Sequence, residues 1–92
     1  MQFIYPAIIK ENADGTFHAT FPDLAGCQAT GDDINDLMVE AQEAAFSWID
    51  LEMHEDEPEL PPVSDEDDLH LSAGEFVRQI LVHYRLSEGW DE

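Results

Sequence analysis

The side chains of this sequence that could do chemistry are one thiol, Cys27, four imidazoles, His18, His54, His70 and His83, and 22 carboxylates. A nucleophilic cysteine needs a base held beside it to draw off its proton, and no residue near Cys27 in sequence supplies one. Its expected role is that of a small buried hydrophobe, and as the sole cysteine it excludes an intrachain disulfide. The histidines are scattered, with no HExxH, CxxC or His-x-His spacing that would suggest zinc. The carboxylates crowd into residues 54–68, but that stretch lacks the D-x-[DN]-x-[DN]-G pattern of a calcium loop and has no glycine for its turn. No glycine-rich loop follows a strand to cradle phosphate. The sequence therefore predicts no catalytic residue, no metal site and no cofactor.

Charge is the stronger signal. Three Lys or Arg stand against 22 Asp or Glu, a formal net charge of −19 on 92 residues. Such a field repels phosphate, which argues against direct binding of nucleic acid. It favours basic partners and speeds their encounter at low salt, or else serves only to keep a small protein in solution. The first nine residues are apolar but lack the basic start and the length of a signal peptide, and no run approaches a membrane span. A cytoplasmic protein is the expectation.

Ninety-two residues build one domain, and 43% hydrophobic residues can form its core. Residues 2–10, rich in Phe, Ile and Tyr, predict a strand in which Pro6 requires an edge or a bulge. Asp14-Gly15 predicts a tight hairpin turn of positive φ. A second strand over Thr16 to Phe21 alternates Phe17, Ala19 and Phe21 with His18 and Thr20, so one face is covered and the other wetter. Pro22 ends its pairing, Gly26 turns the chain, and Cys27 to Thr30 forms a third short strand. Asp33 is placed as an N-cap, with Asp36 in the first turn.

From there Ile34, Leu37, Met38, Ala41, Ala44, Ala45, Trp48 and Ile49 are spaced by threes and fours, one face of a helix about 20 residues or ~30 Å long. Its alanines allow close approach to a sheet. A thinner stripe of Val39, Phe46 and Met53 lies rotated away from the first, half-buried within the monomer or presented to another chain. With an exposed strand edge, it suggests a homo-oligomer formed by edge pairing or helix packing.

Pro58, Pro61 and Pro62 make residues 54–68 an acidic, solvated connector. Local rules leave residues 69–86 ambiguous. Ser72-Ala73-Gly74-Glu75 has the form of a capping box before a helical face of Phe76, Val77, Ile80, Leu81 and Tyr84, yet Val77, Ile80 and Val82 are β-branched. Residues 87–92 are too few for another element and are expected to fray.

Taken in order, Tyr5-Pro6-Ala7, the turn at Gly15, Phe21-Pro22-Asp23-Leu24-Ala25-Gly26-Cys27, Gly31-Asp32 and the helix with Ala41, Glu43 and Ala44 resemble the HicB family of antitoxins over about residues 1–64. The chain departs from the family in Ala25, where Pro is usual, and in Gln42 and Phe46. The resemblance implies an α+β fold: a small antiparallel sheet in βββαβ order with one long helix packed on one face, a partial ribonuclease H-like unit without catalytic acids. It implies a domain over residues 1–86, a strand rather than a helix at 76–84, and a tail at 87–92. It implies a task too, the silencing of a small basic ribonuclease toxin of the HicA type. Many members carry a further DNA-binding domain; this sequence ends at Glu92 without the length or basic residues for one, so direct DNA contact is not expected. Two other readings stand beside the antitoxin: an orphan interaction module without an active toxin partner, and a degenerate nuclease, which would need acids converging from strands that carry almost none.

Overall fold

The structure, a computed structural model, describes residues 2–57 and 60–83. The expected tail at 87–92, the last position of the expected final strand, Tyr84, and the domain limit at residue 86 lie outside them. Three strands, β1 (Gln2–Glu11), β2 (Phe17–Thr20) and β3 (Gln28–Gly31), precede the helix α1 (Ile34–Met53). A short 3-10 turn at Glu66–Asp68 then leads to β4 (Glu75–His83). The sheet is antiparallel in the order β3-β2-β1-β4, with α1 packed on one face.

The inner face of the sheet follows from alternation. Tyr5, Ala7 and Ile9 of β1, Ala19 of β2 and Ile80 and Val82 of β4 are buried under Leu37, Ala41, Ala45 and Ile49 of α1. Ile34, Met38, Ala44 and Trp48 pack partly against the same core, so the helical face read from the spacing is the one that lies on the sheet. Asp33 accepts the Asp36 N–H at 2.8 Å as N-cap, and the Asp36 carboxylate returns to the Asp32 N–H at 3.1 Å. Gly31 lets the helix start this close: a Cβ there would stand 2.5 Å from the backbone nitrogen of Leu37.

Pro6 sits in a central strand, a placement the sequence reading did not foresee. The Leu81 carbonyl accepts a hydrogen bond from the Gln42 side chain at 3.1 Å, so the backbone groups of Leu81 point away from β1. By alternation Ile80 and Val82 bond to β1, while Pro6, opposite Gln79, turns its nitrogen toward β2. The β2 register ends at Ile8↔Thr20, so that side of Pro6 lies beyond the ladder and its missing N–H breaks no pair.

The first turn also differs in detail. Only Gly15 has positive φ, at 90°, because the loop is a turn closed by Gly15 N–H on the Asn12 carbonyl and then by Asn12 N–H on the Thr16 carbonyl. Asp14 stays at negative φ and accepts from the Thr16 N–H and hydroxyl at 3.1 and 2.6 Å. These bonds hold its carboxyl below the usual range.

Candidate protein-binding surface

The motif Phe21 to Cys27 is two linked turns. Leu24 N–H bonds to the Phe21 carbonyl and Cys27 N–H to the Leu24 carbonyl, while Phe21 N–H reaches the Cys27 carbonyl to start the β2–β3 pairing. This geometry buries Phe21, Leu24 and Cys27 and leaves Pro22, Ala25 and Gly26 outside. Burial pushes the Cys27 thiol pKa up, the opposite of what a nucleophile needs. The Trp48 indole N–H bonds to the Ala25 carbonyl at 3.0 Å, tying the helix to the loop.

Asp23 has a role that the sequence did not disclose. Its two oxygens accept the Ser64 N–H at 2.8 Å and the Ser64 hydroxyl at 2.5 Å. The Tyr5 hydroxyl donates to the Pro61 carbonyl at 2.7 Å, and Leu60 packs against the core. Desolvation, and then the nearby charge of Asp23, raise the Tyr5 pKa. Residues 60–64 are therefore a docked strap, where composition alone suggested a solvated connector. The strap continues to Glu66, whose carboxylate accepts from Gln79 of β4 at 2.8 Å. Of the other motif positions, Tyr5, Pro6 and Ala7 are buried in β1, and Gly31 stands against Leu37.

Two grooves among the described residues bear on binding. One, of about 420 Å³, is lined by Val39, Gln42, Glu43, Phe46 and Ser47. Val39 is 52% exposed and Phe46 40%, so these two members of the second stripe meet in one groove. Met53 does not join them; it is half-buried and packs against the core. The other groove, of about 520 Å³, lies at the β3 edge among Thr16, Thr30, Gly31, Asp32, Asp36 and Glu40. Its acids recur every four residues, a helical spacing visible in the sequence but unremarked there. Among the described residues, no group of three or more His, Cys, Asp or Glu side chains could hold a metal ion, and no helix is long and apolar enough to cross a membrane.

The fold is that of toxin–antitoxin proteins. A chain of a toxin–antitoxin complex from Streptococcus pneumoniae superposes with a TM-score of 0.74 at 24% identity, over 90% of this chain and 70% of that one. The N-terminal domain of the Burkholderia pseudomallei antitoxin HicB gives 0.74 at 21% identity, over 91% and 100%. A chain of the HicA3 and HicB3 toxin–antitoxin complex gives 0.65 at 32% identity, over 88% and 96%. No curated protein matches the sequence. The model of the HicB_like antitoxin of bacterial toxin–antitoxin systems matches residues 5–84, and the chain belongs to that family.

Proposed function

We propose that this protein neutralises a small basic ribonuclease toxin of the HicA type by covering its RNA-binding or active site. The observation that carries the reading is the 32% identity, over 88% of this chain, to a chain of the HicA3 and HicB3 complex. The physical chemistry agrees with it. A surface that attracts RNA phosphates is basic, and a chain of net charge −19 competes for such a surface. The groove of Asp32, Asp36 and Glu40 offers carboxylates at the start of the helix and along its first turns to Lys or Arg side chains. Long-range attraction sets the rate of encounter, and burial of a few apolar anchors sets the lifetime of the complex.

Inhibition of this kind needs no chemistry from the inhibitor, so the buried thiol and scattered histidines have no catalytic part. The protein acts in the cytoplasm, where the RNA cut by such a toxin is found, and the same charge keeps it from binding that RNA directly. Co-expression tests the proposal. A short basic reading frame beside this gene should arrest growth when expressed alone, and this protein should restore it. Arrest that persists in the presence of the folded protein contradicts the proposal and favours an orphan module.

A further inference from the structure

The β4 edge and the adjoining flank of α1 form one surface, and we infer that its occupant is a second copy of this chain, paired antiparallel about Gln79. β4 is an outer strand of the sheet, nine residues long, and contains no proline. Since Leu81 directs its backbone groups outward, so do Val77, Gln79 and His83, a row of strand-forming groups along the edge; the Glu75 N–H is instead taken by the Ser72 carbonyl. Gln42, which contacts this edge through the Leu81 carbonyl, also lines the groove that holds Val39 and Phe46. The open edge and the exposed apolar stripe are therefore neighbours.

The sequence of β4 is complementary to its own reverse. A twofold axis at Gln79 sets Val77 opposite Leu81 of the second copy, Glu75 opposite His83, and Gln79 opposite itself. On the other face, Phe76 meets Val82 and Arg78 meets Ile80. Val77 meets Leu81 and Phe76 meets Val82 as apolar pairs, and the acid meets an imidazole, while Arg78 lies beside the apolar Ile80. β4 holds one Glu and one Arg, so it is a neutral strand in a chain of net charge −19, and Glu43 is the acid that the adjoining groove brings toward the axis. Both helices would lie on the same face of the resulting eight-stranded sheet, with the flanks bearing Val39 and Phe46 turned toward the axis. The Leu81 carbonyl has two lone pairs and can keep Gln42 while accepting a strand partner. The acidic groove sits at β3, the opposite edge, so pairing leaves it open in each copy. The inference does not depend on a toxin.

Light scattering and disulfide trapping on the full chain test it. The wild-type protein should have the mass of two chains, more firmly at 0.5 M than at 0.05 M salt because screening relieves repulsion. Gln79→Pro removes the outward N–H together with the side-chain bond to Glu66, so Gln79→Ala, which loses only that bond, is its control; relative to it Gln79→Pro, and relative to wild type Phe46→Glu, should each weaken dimerisation about tenfold or more while the β1 ladder stays intact. Gln79→Cys should cross-link under mild oxidation, since directly opposed residues lie about 5.5 Å apart, whereas Val77→Cys alone should not, its two copies being about 14 Å apart. The Val77→Cys, Leu81→Cys pair should cross-link again. A monomer at every concentration and salt, equal trapping at 77 and 79, or occupation of β4 only when a toxin is added would each overturn the inference.

Discussion

Asp23 grips Ser64 from 41 residues away in sequence, one carboxylate oxygen on the N–H at 2.8 Å and the other on the hydroxyl at 2.5 Å. This pair closes the strap that leaves the helix and crosses toward β4. An ionised acceptor that takes both bonds of one residue in a partly buried setting makes the contact stronger than a neutral one. It gives a family-motif residue a structural task that its position in a loop does not suggest.

The strap should fail when that grip is removed. Asp23→Ala is expected to cost about 2–3 kcal/mol and Ser64→Ala about 1 kcal/mol, with a coupling in the double mutant of about 1 kcal/mol. Urea denaturation of the four proteins checks this. Additive losses would show that the two residues act independently.

Tyr5 gives the strap a dependence on pH. Its hydroxyl is neutral when it donates to Pro61, and its pKa is raised in the fold, so the folded state holds the proton more tightly than the unfolded chain. Its contribution is complete below the ordinary tyrosine value of about 10 and is lost as pH rises from there through the native value. Tyr5→Phe should lower stability by about 1 kcal/mol at pH 7 and flatten the decline above pH ~10. Thermal unfolding of both proteins from pH 8 to 11 makes the comparison. Cys27, whose pKa is also raised, titrates in both and cancels.

Gly31 lies where β3 runs directly against the start of α1. A methyl group there meets Leu37 N at 2.5 Å and Leu37 Cα at 2.7 Å, backbone atoms that cannot rotate aside. Gly31→Ala should therefore destabilise by about 2–3 kcal/mol, as overpacking does. Gly15→Ala is different in kind: the space is open and the cost is that of positive φ alone, about 1 kcal/mol. Chemical denaturation should rank them in that order.

Features set by local chemistry were legible in the sequence. The Asp33 cap, the spacing of Leu37, Ala41, Ala45 and Ile49, and the turns around Gly15 and Gly26 need only near neighbours to be read. Ser72 to Glu75 shows where local reading stops. The Ser72 N–H does bond the Glu75 carboxylate at 2.7 Å, as in a capping box, but Glu75 N–H bonds the Ser72 carbonyl and Gly74 takes φ 86°. Those residues make a reverse turn into a strand, because nine register pairs with β1 outweigh a small local preference for helix. The family resemblance pointed to that strand, whereas periodicity leaned the other way. The bond from Asp23 to Ser64 and that from Gln42 to Leu81 join distant segments, and no local spacing announces them.

The most direct test of the antitoxin role is a ribonuclease assay with a purified basic toxin encoded beside this gene, titrated with this protein. RNA cleavage should fall to background near the stoichiometric point, and the association rate should drop steeply between 0.05 and 0.5 M salt, as expected when −19 charges steer the encounter. Undiminished cleavage at a large excess of the folded protein would contradict it.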